Sequence, residues 1–440
     1  MKAFLAILIA TALVVLLPRN TLAIYDPGSV PNNKVGIHIF NENDLEDASA
    51  LVNASGGDWG YVTFVITEKE RDCDRWQKVL DRMRGLHLIP IMRLATKADG
   101  GIWKKPEEEE IANWVDFLNS LNWVVKNRYV VIGNEPNLDN EWGGKADAAA
   151  YATYLKSFSV KLKSASDDFF VLPAGMAPDK NEFAFIRLML KTEPDILNHI
   201  DGWTSHSYPT ASIDLYKDEL KLLGKSFPVF ITETGWSGKR FTEEEIGVKL
   251  ISAYRNTWND PKVIAVTPFI LNYPQEPFAE FSWKKNDGSF YKFYSSIKDM
   301  EKIRGEPVQI ESGQILAAFI QPVILHGLDF VGTILARNTG QSIWSPDSVS
   351  VGSGQSDLIV RSVSFNEIEP MRFGLIIFKA AATENTGVYS STLFLTGTKQ
   401  NKVTNGFSVK SVATKLDKMQ VEAIFAKMGG YFRNLVNKGP

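Results

Sequence analysis

Between about residues 34 and 300, short apolar runs alternate with longer stretches in which apolar residues recur at the helical period. The runs have the length of buried strands and end in Gly, Pro, Asn or charged residues. Eight strands are predicted, at residues 35–40, 60–66, 88–93, 129–133, 169–173, 202–206, 228–232 and 264–271. Eight helices are predicted between and after them, at residues 45–53, 72–84, 107–121, 146–164, 182–190, 213–223, 243–258 and 290–302.

Strict alternation of strands and helices is typical of α/β proteins with a parallel sheet. Eight strand–helix units over this length predict a closed (β/α)8 TIM barrel at residues 24–303. An open doubly wound sheet is the alternative, but no glycine-rich phosphate loop follows the first strand. The barrel is therefore the favoured fold.

After residue 303 the pattern changes to short runs rich in Val, Ile, Phe, Ser and Thr, with turn residues between them. This spacing predicts a small C-terminal β-sandwich at residues 304–403. It contains a single tryptophan, Trp344. A carbohydrate-binding module, a spacer and a structural partner of the barrel all remain open as its role.

Residues 404–440 are predicted to form a terminal helix or helical tail with an apolar stripe that includes Leu416, Ile424 and Leu435. A membrane-surface helix has this pattern, and weak surface association through this region is one interpretation. A helix packed on its own domain and a frayed tail are the alternatives, and the pattern favours these two.

The first 23 residues have the pattern of an export signal. Lys2 supplies a positive charge, residues 3–17 are apolar, and residues 21–23 offer a cleavage site. Arg19 interrupts the run before the ~20 residues that a membrane-spanning helix needs. We predict a signal peptide and a secreted or cell-surface protein, with an uncleaved anchor as the alternative.

Composition excludes some classes of partner. The net charge of −3 gives no reason to expect a nucleic-acid partner. Cys73 is the only cysteine, so no intrachain disulfide can form. The five histidines are scattered without the spacing of metal ligands. We predict no metal and no cofactor.

Two glutamates carry the candidate chemistry. Glu135 follows the apolar run at 129–132, and Glu233 follows the run at 228–231. In a parallel barrel the carboxyl ends of all strands open onto one face, so both side chains are expected at the same mouth. Hydrolysis of a glycosidic bond needs such a pair, with one carboxyl donating a proton and one carboxylate attacking or activating water.

The two motifs together resemble those of the clan A retaining glycoside hydrolases. Asn134-Glu135-Pro136 lies at the end of the fourth strand, and Glu233-Thr234-Gly235-Trp236 lies at the end of the seventh. The second motif is also similar to the β-1,3-glucanase branch of that clan. The resemblance covers residues 34–300 in pattern, and its specific motifs are these two stretches.

The resemblance implies a role for each residue of the motifs. Glu135 would be the general acid/base, Glu233 the nucleophile, and Asn134 would bond the sugar hydroxyl next to the anomeric carbon. Retention of configuration implies carboxyl groups roughly 5–5.5 Å apart, whereas about 6.5–9.5 Å would indicate inversion.

Further positions are candidates for substrate binding or for support of the pair. Family resemblance suggests that His206 or Tyr208, after the sixth strand, orients Glu233. Arg93 ends the third strand, where a cation would hold Glu233 ionised. Many clan members have their arginine after the second strand, so Arg93 departs from the pattern. His38 after the first strand is equally compatible with a sugar contact and with a core position.

Tryptophans near the predicted mouth are candidate platforms for sugar rings, because an indole face stacks on the apolar face of a pyranose. The clan pattern puts an aromatic residue on the eighth strand, and Trp283 in the following loop is predicted to take that place. Each of these tryptophans is equally compatible with simple packing. The set consists of Trp103, Trp142, Trp236 and Trp283.

Two functions from different classes follow. The first is an exported retaining β-glycoside hydrolase that acts on a polysaccharide or oligosaccharide by double displacement. The second is a barrel that binds glycans, or mediates adhesion at the cell surface, without cleaving them. Retention of both glutamates at the strand ends favours the hydrolase.

Overall fold

The structure is a computed structural model that describes residues 23–325, 328–354, 358–382, 387–398 and 401–414. The chain divides into two compact units, the first ending at Val308 and the second beginning at Gln309. The predicted signal peptide and most of the predicted tail lie outside the described residues. Within the described part of the chain, no helix is both long and apolar enough to cross a membrane.

The first unit contains eight parallel strands in the order predicted from the sequence. They are β1 (Gly36–His38), β2 (Gly60–Thr67), β3 (Leu88–Ala95), β4 (Arg128–Ile132), β5 (Phe169–Pro173), β6 (Trp203–His206), β7 (Val229–Glu233) and β8 (Val263–Val266). A short hairpin, Ala98–Asp99 with Ile102–Trp103, follows β3.

Eight α-helices accompany these strands in the described part of the first unit. They are α1 (Leu45–Val52), α2 (Cys73–Gly85), α3 (Glu110–Ser120), α4 (Ala148–Ala165), α5 (Glu182–Thr192), α6 (Leu215–Leu223), α7 (Glu243–Arg255) and α8 (Lys292–Asp299). Helix α7 begins at a capping box, in which the side chains of Thr242 and Glu245 each accept from the other's backbone N–H.

The strands form one parallel sheet from β1 to β5 and a second from β6 to β8. Between β5 and β6, Asp201 N donates to Val171 O at 2.9 Å. Between β8 and β1, Val35 pairs with Val266, and Val266 N donates to Lys34 O at 2.9 Å. The eight strands therefore follow one another as in a (β/α)8 barrel, which is the predicted fold.

The eighth strand is shorter than predicted. It ends at Val266 rather than at residue 271. Pro268 lacks a backbone N–H, so the ladder cannot continue through it. Residues after Val266 instead begin the connection to α8, which contains a short 3-10 turn at Ala279–Phe281.

The barrel interior is packed with aromatic and branched side chains. Tyr61, Tyr129, Phe170 and Phe230 form a cluster of rings with centroids 5.0–6.5 Å apart. All four are buried. The interior is therefore a filled core, and the polar strand ends above it are left to form a site.

In the described part of the second unit, eight strands form two four-stranded sheets. The strands are β9 (Gly313–Phe319), β10 (Val323–Leu325), β11 (Asp329–Asn338), β12 (Ser350–Gly354), β13 (Leu358–Ser364), β14 (Phe373–Ala382), β15 (Gly387–Thr396) and β16 (Phe407–Thr414). The sheet orders are β9-β11-β14-β13 and β10-β16-β15-β12, and every pair is antiparallel except β10 with β16. The predicted C-terminal β-sandwich is present.

The predicted helical tail is wrong in its first part. Strand β16 occupies Phe407–Thr414 and pairs with β15, so the sandwich extends beyond residue 403. Val409, Ser411 and Ala413 alternate as buried positions, which is the period of a strand. The rest of the predicted tail, including its apolar stripe, lies outside the described residues.

Candidate active site at the barrel mouth

Glu135 stands on an irregular turn immediately after β4. Gly133 has a φ of +88° and Glu135 a φ of +38°, a backbone region that residues with a Cβ rarely adopt. Glu135 N donates to Gly175 O at 3.0 Å, and this bond holds the turn against the loop after β5. Asn137 adds a two-way amide contact with the backbone of Ala177 at 2.9 Å in each direction. The unusual backbone is thus fixed by its neighbours, as is common for functional side chains.

Glu233 is the last residue of β7, and its carboxylate contacts two residues from other strand ends. Arg93 on β3 donates from Nη1 to Oε1, and both side chains are almost fully buried. The hydroxyl of Tyr208 donates to Oε2 at 3.1 Å. Burial opposes ionisation, but the charges of His206 and Arg93 outweigh it and hold the pKa of Glu233 well below its usual range. Glu233 is therefore ionised at neutral pH.

His206 ends β6 between the two glutamates. Its Nδ1 lies 2.7 Å from Oε1 of Glu135 and 3.9 Å from Oε2 of Glu233. Burial would lower the pKa of His206, yet the carboxylates of Glu233 and Glu135 raise it, which favours the protonated ring. Gly175 lies against this ring, since a Cβ there would meet His206 Cδ2 at 2.2 Å.

The two carboxyl groups converge. One oxygen of Glu135, one ring nitrogen of His206 and one oxygen of Glu233 all lie within 4.8 Å of one another. A gap of this size is close to that of retaining glycosidases and below the range for inversion. The same three groups have the composition of a metal site, but the Arg93 guanidinium is already paired with Glu233 and opposes a second cation there.

Asn134 contacts a carboxylate that the sequence analysis did not single out. Asn134 donates from Nδ2 to Oε2 of Glu141 at 3.3 Å, while its own Oδ1 is buried without a partner in the described structure. Burial raises the pKa of Glu141 to about 7, although the hydrogen bond from Asn134 opposes this shift. Glu141 lies six positions after Glu135 on a short 3-10 turn, and its spacing gave no signal for chemistry.

His38 at the end of β1 faces the same cluster. Burial and the nearby charge of Arg93 lower the pKa of His38 to about 3, so its ring is neutral. Neither ring nitrogen has a hydrogen-bond partner in the described part of the chain. The ring packs edge-on against Phe269, with centroids 5.2 Å apart. The predicted sugar contact of His38 stays a prediction.

The structure brings together Glu135, Glu233, Asn134, Arg93, His206, Tyr208 and His38, all from the set chosen by sequence. Of the two residues expected to orient Glu233, Tyr208 bonds it, and His206 bonds Glu135. Nδ1 of His206 lies 2.7 Å from Oε1 of Glu135 and 3.9 Å from Oε2 of Glu233.

Three of the predicted tryptophan platforms are wrong. Trp142, Trp236 and Trp283 are only 3%, 8% and 3% exposed, and all three belong to the barrel core. Trp283 packs edge-on against Phe293 on α8, and Trp236 packs against Trp258. Indole rings buried in this way cannot offer a face to a sugar. Trp103, in the short hairpin after β3, is partly exposed.

Phe269, rather than Trp283, is the aromatic residue after β8 that packs against His38. Phe269 lies three positions beyond the end of β8, and its backbone N donates to Thr234 O at 2.9 Å. It packs against His38 on one side and the loop residues Phe278 and Phe281 on the other. The signal was present in the sequence, because Phe269 directly follows Pro268 where the strand must end.

Comparisons with known proteins bear on the fold. No protein-family model matches the chain. No curated protein matches it in sequence either. Among solved structures, a monomeric β-xylosidase from Caulobacter crescentus CB15 is 16% identical with a TM-score of 0.50, over 70% of this chain and 74% of that one.

A family 39 glycoside hydrolase from Bacteroides cellulosilyticus WH2 is 14% identical with a TM-score of 0.48, over 82% of each chain. At these identities the likeness concerns the fold alone. The likeness to the β-xylosidase agrees with the predicted α/β architecture of parallel strands and helices.

Proposed function

We propose that this protein is a retaining β-glycoside hydrolase that cleaves O-glycosidic bonds of an oligosaccharide or polysaccharide. The observation that carries the proposal is the convergence of Glu135 and Glu233, whose nearest oxygens lie within 4.8 Å. Two carboxyls at this separation can act on opposite sides of one bond but leave no room for an intervening water. The fold shared with known glycoside hydrolases is consistent with this chemistry.

Glu233 serves as the nucleophile in this proposal. Its ionised carboxylate attacks the anomeric carbon, a glycosyl–enzyme ester forms, and the bond from the anomeric carbon to the leaving oxygen breaks. Arg93 and Tyr208 keep the carboxylate charged and oriented before the attack. As the ester forms, the negative charge on Glu233 is lost and its contact with Arg93 weakens.

Glu135 serves as the acid and then the base. Its proton passes to the leaving oxygen as the glycosidic bond breaks, and Glu135 is left ionised. Glu135 then takes a proton from a water molecule that attacks the anomeric carbon, which releases the sugar and restores Glu233. Glu135 regains from that water the proton that it gave to the leaving oxygen, and Nδ1 of His206, 2.7 Å from Oε1 of Glu135, holds the carboxyl in position.

The substrate and location are further parts of the proposal. The neighbouring structures include a β-xylosidase, which supports a β-linked pyranose substrate. Asn134 would contact the hydroxyl next to the anomeric carbon through its unpartnered Oδ1. The apolar N-terminal segment supports export, and a polymeric glycan outside the cell is a substrate that an exported enzyme would reach.

The test separates the two glutamates by their chemistry. A 2-deoxy-2-fluoro glycoside with a good leaving group is expected to add one sugar mass at Glu233, detected by peptide mass spectrometry. Glu233→Gln should lower kcat by on the order of 10⁴-fold or more. Glu135→Gln should lower kcat by about 10²–10⁴-fold on substrates with poor leaving groups, and less when the leaving group is dinitrophenolate.

Glu107→Gln is the matched control, because Glu107 is exposed and lies before α3. This variant should hydrolyse the same substrates at the wild-type rate. Undiminished hydrolysis by both Glu135→Gln and Glu233→Gln would falsify the proposal. Glycan binding by the wild-type chain without any hydrolysis would favour the binding protein that the sequence analysis kept as the alternative.

A further inference from the structure

A continuous row of aromatic rings leads from Glu233 to the outer edge of the barrel mouth. Tyr208, which bonds Glu233, packs against Phe281 with centroids 5.7 Å apart, and Phe281 packs against Phe269 at 6.4 Å. From Phe269 the row continues outward, each ring contacting the next at 5.0–5.4 Å, through Phe278, Tyr273 and Phe40.

The outer three residues, Phe40, Tyr273 and Phe278, are here called the aromatic shelf. Phe40 is 68% exposed and Phe278 41% exposed, and Tyr273 between them is partly exposed. Both contacts along the shelf are edge-to-face, with planes 75° and 63° apart. Single exposed apolar residues need no explanation, but adjoining exposed rings next to a cleft indicate a binding surface.

The shelf is held in place by hydrogen bonds between the loops that carry it. Phe40 follows β1, while Tyr273 and Phe278 lie in the loop after β8. Asn272 donates from Nδ2 to Oδ1 of Asp44 at 2.9 Å and so ties these two loops together. Tyr273 N donates to Ser282 Oγ at 3.0 Å. A rigid platform loses little conformational entropy on binding, which favours affinity.

The position of the aromatic shelf relative to Glu135 and Glu233 determines which part of a substrate would contact the shelf. The general acid must lie on the leaving-group side of the cleaved bond, so the aglycone is on the side of Glu135. The shelf connects instead to the residues around Glu233, through Phe269 and Tyr208, and to His38. Sugars on the nonreducing side of the cleaved bond therefore extend toward it.

We propose that the aromatic shelf binds pyranose rings on the nonreducing side of the cleaved bond, beyond the sugar that becomes attached to Glu233. The substrate is then an oligosaccharide or polysaccharide that continues in that direction, and a single glycosyl unit uses only part of the site. This inference rests on the proposed hydrolase function for the direction of the chain. The apolar faces of pyranoses stack on such rings, and their hydroxyls remain in water.

Kinetics with substrates of increasing length test the proposal. Aryl β-glycosides carrying one, two and three sugars are compared, and the ratio of kcat/KM for the longest to that for the shortest is the quantity measured. Wild type should show a ratio well above one. Phe40→Ala and Phe278→Ala should each lower this ratio by about 2–12-fold, the effect of one lost aromatic contact.

Phe373→Ala is the matched control, because Phe373 is 61% exposed, between Phe278 and Phe40, but lies on β14 of the sandwich. Its ratio should equal that of wild type. A wild-type ratio near one would overturn the proposal, and so would a ratio unchanged in both Phe40→Ala and Phe278→Ala.

Binding to the Glu233→Gln variant separates this proposal from the proposed function, since it needs no turnover. Calorimetry with unmodified oligosaccharides should show weaker binding when Phe40→Ala or Phe278→Ala is added. If wild type hydrolyses nothing but the shelf substitutions still weaken binding, the hydrolase function fails and the shelf stands. If no oligosaccharide binds, or the shelf substitutions convert a dimer into a monomer in size-exclusion chromatography, the shelf assignment fails.

Discussion

The charge of Glu233 depends on single residues that lie on other strands. Arg93 from β3 pairs with it in a site where both side chains are nearly buried. An opposite charge at such a distance lowers the pKa of a carboxyl by about one to three units. A buried carboxylate that loses this partner becomes easier to protonate, and a protonated nucleophile cannot attack.

Arg93→Met should therefore lower kcat/KM and move the acid limb of its pH profile upward by about one to three pH units. The direction follows from the sign of the interaction, because removing the cation raises the pKa of Glu233. The profile is measured from pH 3 to pH 9, with circular dichroism as a check on folding. Arg82→Met, which removes an exposed pair with Glu46, should leave the acid limb in place. An acid limb that coincides with wild type in Arg93→Met would contradict this account of Glu233.

The residues of the site whose placement depends only on the order of the strands are predictable from the sequence. Parallel strands expose their carboxyl ends at one face, so the order of the strands along the chain is enough to place Glu135 and Glu233 together. Glu141 could not be found in this way. Its contact with Asn134 depends on the path of the 3-10 turn after β4, which sequence does not specify. The same limit applies to Trp236 and Trp283, whose burial depends on how the loops fold back.

At the level of whole elements, two buried carboxyls lie on the helices that precede and follow β6. Glu182 begins α5 and Glu219 lies on α6, and they are 1% and 0% exposed. Burial raises the pKa of both carboxyls, and electrostatic repulsion between them raises that of Glu219 further. At a pH above that at which an unfolded glutamate ionises, the folded protein therefore retains protons on these two carboxyls that the unfolded chain has already released.

Glu219→Gln should stabilise the protein at pH 8 and change its stability little at pH 4. A raised pKa in the folded state means that this pair costs stability as the pH rises above about 4.3, the value for an unfolded glutamate. The neutral amide removes that cost, which grows by about 1.4 kcal/mol for each pH unit above 4.3 until the carboxyl of the folded protein ionises. Thermal unfolding at the two pH values measures the difference.

Glu301→Gln serves as the exposed control for Glu219→Gln and should change the unfolding temperature little at either pH. Equal destabilisation by Glu219→Gln at pH 4 and pH 8 would show that the pair is not held protonated in the folded state.

The elements themselves were largely predictable, and the exceptions have local causes. The alternation of strands and helices along the chain predicts the barrel, because each buried strand is an apolar run of typical strand length. Strand β16 escaped prediction because a serine occupies one of its buried positions. Ser411 is 3% exposed and donates from Oγ to Gln321 O at 2.7 Å. Because this buried position holds a polar residue, it interrupts the alternation of apolar and polar residues that would predict a strand.

On the scale of the whole molecule, the described residues form two separate hydrophobic cores. One cluster of buried residues lies in the barrel and the other in the sandwich, and they share no member. Domains with their own cores can unfold as separate units. The proposed catalytic residues all belong to the first unit, so activity should follow the stability of that unit alone.

Two core substitutions test this separation. Leu393 on β15 and Leu172 on β5 are each 0% exposed. Replacing either by alanine should lower the free energy of unfolding by about 2–5 kcal/mol. Calorimetry of the full chain should show two transitions, with Leu393→Ala lowering one and Leu172→Ala lowering the other. The temperature at which activity is lost should fall only for Leu172→Ala. A single transition that both substitutions lower equally would mean that the two cores unfold as one cooperative unit.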